Sequence, residues 1–160
     1  MGVQVELPSN TPVMLLQEKG APHRQLSIFI GGPEAAAIAF HLEGVEAPRP
    51  LTHDLLGIVI AELDHSLLRV VVTSLEDTTF FAEMHLGSTA DLDDDPPTVV
   101  SARPSDAVAL AIRVDAPIYA SEELLDEVGF IEGADEADPD EVVEEFREFI
   151  QNVSPDDFDS

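Results

Sequence analysis

The sequence predicts an α+β fold: one compact domain with a mixed or antiparallel sheet and three to four packed helices, followed by an acidic helical tail. Three observations predict it. Segments that alternate apolar and polar residues, the period of a strand, are interleaved with segments whose apolar residues recur at helical spacing. The helical segments open on Pro, Thr or Ser, and two of them stop at Gly44 and Gly129, the chemistry of helix ends. After Gly129 the composition turns abruptly acidic. At 160 residues and 44% apolar content, the chain suits one domain and can fill a core.

Residues 3–7 alternate and read as a strand, as do residues 13–18, with a Pro- and Asn-containing turn at 8–12 between them. Leu26, Ile28 and Ile30 mark a third strand, which Gly31-Gly32-Pro33 ends. A helix over 33–43 sets Ala35, Ile38, Ala39 and Leu42 on one face. Prolines 48 and 50 forbid helix in the linker that follows. Thr52 is the expected N-cap of the next helix, with Asp54 in its first turn and a core face of Leu55, Leu56, Val59, Ile60 and Leu63. Residues 67–75 and 79–86 form a hairpin, and 98–102 a short strand. Pro104 opens a helix whose apolar side is Val108, Ala111 and Ile112. A brief strand at 117–120 precedes a helix over 121–128 capped by Ser121. Residues 132–140 read as an acidic linker and 141–150 as an amphipathic helix carrying Val142, Phe146, Phe149 and Ile150, a surface for this domain or for a protein partner.

The formal charge is −26, and it is unevenly spread. Residues 121–160 carry 16 acidic side chains against Arg147 alone. With a single Lys in the chain, no broad basic groove for a nucleic-acid backbone can form. The absence of Cys excludes disulfides, a thiolate nucleophile and thiolate metal ligands. No stretch approaches the roughly 20 apolar residues that span a bilayer. The opening MGVQVELPSN lacks the basic-then-apolar order of a secretory leader, so a cytoplasmic protein is expected.

Two segments carry chemistry. Arg49-Pro50-Leu51-Thr52-His53-Asp54 gathers a guanidinium, a hydroxyl, an imidazole and a carboxylate at a helix entrance. Such a cluster can bind an anion or supply a general acid and base. Arg103-Pro104-Ser105-Asp106 repeats the arrangement after a strand. From spacing alone a second reading stands for each: Thr52 and Ser105 as caps, and the Asp as partner of its own Arg. Metal-dependent hydrolysis needs converging carboxylates, and Glu34, Asp54 and Asp106 are the candidates. HExxH, GxSxG and GxxxxGK[ST] are all absent from the sequence. His85 lies on a strand face with Phe81 and Glu83 and reads as a surface or subunit contact.

The run Ile28-Phe29-Ile30-Gly31 with Glu34-Ala35 and Ala37-Ile38-Ala39, the run from Pro48 through Arg49-Pro50-Leu51-Thr52-His53-Asp54-Leu55-Leu56, and Ala102-Arg103-Pro104-Ser105-Asp106-Ala107 resemble the signatures of the bifunctional nuclease family. The resemblance covers about residues 3–130, leaving 131–160 outside the common domain. It implies a small α+β domain, activity on RNA and DNA, and assembly as a homo-oligomer. On these motif residues, catalysis falls to His53, Asp54 and Asp106, phosphate binding to Arg49, Thr52, Arg103 and Ser105, and Mg²⁺ binding to Glu34, Asp54 and Asp106. The alternative is a non-catalytic module that holds a small anion or a protein partner in the same pocket. The chain departs from the family pattern at Thr78, Phe81 and Ser101, where many members have Gly, Tyr and Asp.

Overall fold

The computed structural model describes residues 1–6, 11–88 and 97–131. Met1–Phe130 form one compact unit, and Ile131–Ser160 are a second of which only Ile131 is described. The acidic linker, the 141–150 helix, most of the 8–12 turn and the acidic run at 91–95 therefore lie outside the described residues.

The fold is α+β, with its strands divided between two sheets. β1 (Gly2–Glu6), β2 (Val13–Gln17) and β3 (Gln25–Phe29) form an antiparallel sheet in sequence order. Helices α1 (Gly32–Leu42) and α2 (Thr52–Glu62) follow. β4 (His65–Glu76) and β5 (Thr79–Ser88) form a long hairpin, and β6 (Thr98–Ala102) lies antiparallel to β5. The hairpin turns at Asp77, whose φ of 55° is left-handed, a conformation that Asp tolerates better than most residues. After α3 (Pro104–Arg113), β7 (Ile118–Ala120) joins β4 in parallel, giving the order β6-β5-β4-β7. Helix α4 (Glu122–Val128) ends the unit.

Helix α3 is the centre of the core. It touches α1, α2, β4 and β5, and five consecutive residues, Ala107 to Ala111, have no exposed surface. Small alanines admit close neighbours on every side. Met14, Leu16, Leu26 and Ile28 from one sheet and Val70, Val72 and Ala82 from the other complete the cluster.

Three expectations are corrected. Leu42 is half exposed rather than core. Thr52 is the first residue of α2, and Leu51 occupies the cap position. The expected core face of α2 is largely outside: Leu55, Leu56, Val59 and Leu63 are exposed, and of that set only Ile60 packs partly against the core. The reason is local. α2 meets α3 through Gly57, where an added Cβ would sit 3.3 Å from Val114 Cγ1 and 3.5 Å from Leu110 Cδ1. The helix leans on the narrow stripe His53, Gly57 and Ile60, which turns its bulkier residues outward. Among the described residues, no helix is long and apolar enough to cross a membrane.

Candidate active site

Helices α1, α2 and α3 share one design. Their cap positions hold Gly31, Leu51 and Arg103, none of which caps the helix with its side chain. Helix α4, by contrast, is capped by Ser121, whose Oγ accepts from the Leu124 N–H at 3.3 Å. Three residues after each uncapped position stands a carboxylate: Glu34, Asp54 and Asp106. An acid there answers the positive end of the helix. What each acid does beyond that differs, and the difference makes the site.

Asp106 is the hub. His53 Nε2 lies 3.2 Å from its Oδ1. Arg103 grips it with two bonds, Nε to Oδ2 at 2.7 Å and Nη2 to Oδ1 at 3.1 Å. The same Nη2 donates to Glu34 Oε1 at 2.7 Å. The first turns of α1, α2 and α3 are thus joined. Burial acts to raise the Asp106 carboxyl, but hydrogen bonds from Arg103 and His53, and their charges, outweigh it and hold the group below its ordinary range. The hydrogen bond from Asp106, then that from Glu34, raises the Arg103 guanidinium further above its usual value. His53 is largely enclosed, with 12% of its side chain exposed, while Arg103 is open at 65%. Glu34 packs back over Gly31, where an added Cβ would fall 2.1 Å from Glu34 Oε2.

These groups line a cavity of about 570 Å³ with Thr52, Pro33, Phe40 and Leu51. A larger cavity of about 730 Å³ is lined by Lys19, His41 and Tyr119, but no hydrogen-bonded acid–imidazole pair stands in it. The smaller one holds the chemistry.

Asp54 takes another direction. Its Oδ2 accepts from the Leu51 N–H at 2.8 Å, and its Oδ1 accepts from Arg113 Nε. Arg113, with 7% of its side chain exposed, also donates to the carbonyls of Ala109 at 2.7 Å and Ala37 at 2.8 Å, tying the three helices together. Sequence reading missed Arg113. Its partner lies 59 residues away, and an Arg in a helix's last turn is by itself unremarkable.

Arg49 is exposed, outside the cavity lining and without an ion pair among the described residues. Ser105 is buried at 6% exposure and does not line the cavity. The expected Mg²⁺ carboxylates do not form a metal cradle: Glu34 and Asp106 share Arg103, and Asp54 is turned to Arg113. Among the described residues, no three His, Asp or Glu side chains are placed to hold an ion. The departures at Phe81 and Ser101 fall on β5 and β6, and neither residue lines the cavity.

Comparison with known proteins agrees with this picture. The family model described as the bifunctional nuclease domain matches residues 14–132. Two Mycobacterium tuberculosis proteins, Uncharacterized protein MT1877 of strain CDC 1551 / Oshkosh and Uncharacterized protein Rv1829 of strain H37Rv, are each 48% identical over 164 aligned positions, covering 99% of this chain and 94% of theirs. With the signature residues at its helix entrances and the match spanning most of its length, the chain belongs to the bifunctional nuclease domain family.

Proposed function

We propose that the chain hydrolyses phosphodiester bonds of single-stranded RNA or DNA at the His53–Asp106–Arg103 cavity. One observation carries the reading: a carboxylate 3.2 Å from an imidazole nitrogen, in a cavity whose open edge is an arginine. Asp106 accepting the Nε2 proton leaves the Nδ1 lone pair of His53 free. Nδ1 takes a proton from water as its oxygen attacks phosphorus. The imidazolium then returns that proton to the departing sugar oxygen as the old P–O bond breaks. Arg103 pairs with the non-bridging oxygens, exchanging its contact with Glu34 for the phosphate. Thr52 offers a hydroxyl at the same wall. Asp54 acts through Arg113, holding α2 where His53 meets Asp106. With no basic groove to grip a duplex, a single strand is the substrate that fits.

The test is incubation of purified protein with single-stranded RNA and DNA, with and without Mg²⁺. His53→Ala and Arg103→Ala are each expected to lower the rate about 10²-fold or more. Cleavage that persists in the double variant belongs to a contaminant and ends the proposal. A second reading, binding without turnover, is favoured by the two carboxylates that already satisfy Arg103. It predicts thermal stabilisation by nucleotides with no product.

A further inference from the structure

Helix α2 has an uncovered apolar face. Leu51, Leu55, Ile58 and Val59 stand on one side of it, with Leu56 and Leu63 beside them, and all six are between 36% and 65% exposed. No residue of α2 is buried. Residues 55–61 contain no charge at all, in a chain of net charge −26. Six half-exposed aliphatic side chains offer on the order of 500 Å², the upper end of what a monomer leaves uncovered and more than half of the roughly 800 Å² that each partner of a stable dimer buries.

The charges at the two ends of this face identify what covers it. Before α2 stands Arg49, exposed on the extended Pro48–Pro50 segment. At its far end stand Glu62, on the same stripe as Leu51, Leu55 and Ile58, and Asp64 just beyond, both exposed. None of the three forms an ion pair among the described residues. A strip that is apolar in the middle, cationic at one end and anionic at the other is complementary to itself when reversed. We infer that α2 is the interface of a twofold dimer, in which α2 packs antiparallel against α2 of a second copy. Arg49 of each then faces Glu62 and Asp64 of the other. The axis falls near Leu55 and Ile58. Such an isologous contact is the commonest symmetric arrangement, and it places the only charges at its rim with opposite signs opposed. Arg49 is thereby an interface residue rather than a phosphate ligand. Leu51 belongs both to this face and to the cavity wall, so the dimer contact borders the proposed site. The inference stands independently of the proposed hydrolysis.

The experiment is sedimentation of the full chain and its variants. The wild type is expected at twice the 17.3 kDa chain mass or an even multiple of it. Leu55→Glu, an exposed position whose change leaves the core untouched, is expected to halve that mass while circular dichroism stays native. Arg49→Glu and Glu62→Arg are each expected to weaken dimerisation about tenfold, and the two together to restore it. A monomeric wild type overturns the inference, as does a Leu55→Glu variant of unchanged mass or a charge swap that fails to restore dimerisation. A wild-type monomer whose α2 is protected from hydrogen exchange only while residues 132–160 are present assigns the face to the tail and likewise overturns it.

Discussion

At the scale of single residues, the site works because one carboxylate, Asp106, serves two partners. His53 gains an orientation, and Arg103 gains a fixed place at the cavity edge. Asp54 shows the structural counterpart of the same chemistry. Burial raises its carboxyl, but the Leu51 N–H and Arg113 outweigh burial and hold it below the ordinary value of 3.8. A group depressed on folding adds stability above its unfolded value, and that stability is lost as pH falls through the folded value. The general relief of acidic repulsion on acidification runs the other way, so the expectation is a difference between variants. Wild type is expected to melt above Asp54→Asn at neutral pH, with the gap closing below about pH 4; a gap constant with pH contradicts the assignment. Arg113→Met is expected to cost about 3 kcal/mol in urea titration, because it strands a carboxylate and two carbonyls. Much of this scale was legible. Arg103 with Asp106 and the place of His53 followed from two short motifs. Arg113 was not legible, since pairing across 59 residues leaves no local pattern. Thr52 was misplaced by one position because Asp54, reaching back to the Leu51 N–H, does the work expected of the threonine hydroxyl.

At the scale of elements, α2 is positioned by an absent side chain. Gly57 brings its axis onto α3, and the His53–Asp106 contact lies one turn earlier on the same face. Gly57→Leu is expected to push α2 outward, costing about 2 kcal/mol of stability in thermal melts and lowering cleavage more than the stability loss explains. Gly57→Leu with native melting and native rate contradicts this account. The strands and their order were readable from alternation, and α4 from Ser121. The apolar stripe of α2 was also readable, but its destination was not: periodicity shows that a face is apolar, and says nothing of whether the same chain covers it. The burial of α3 on all sides was hidden for the opposite reason. A helix rich in alanine shows a weak stripe, and only its place between two sheets and two helices encloses the remainder.

At the scale of the whole molecule, charge governs access. A chain at −26 repels a phosphate backbone, and the cavity offers one arginine to oppose that repulsion. Typical nucleic-acid binders lose affinity steeply with salt because each neutralised phosphate releases counterions, with a logarithmic slope of about −0.9 per contact. Here the contacts are few and long-range repulsion is screened within about 10 Å at 0.1 M salt. The KM for a short oligonucleotide is therefore expected to stay level or fall between 10 and 150 mM salt, roughly the span over which screening sets in. A steep rise in KM would require a basic surface that the composition denies. The most direct test of the account is the initial rate of oligoribonucleotide cleavage by Asp106→Asn beside wild type, at matched purity and with folding verified. The account expects wild-type turnover and a loss of about 10²- to 10⁴-fold in kcat with little change in KM, as the imidazole loses its orienting acceptor. An equal rate in the variant, or no turnover in the wild type, contradicts it.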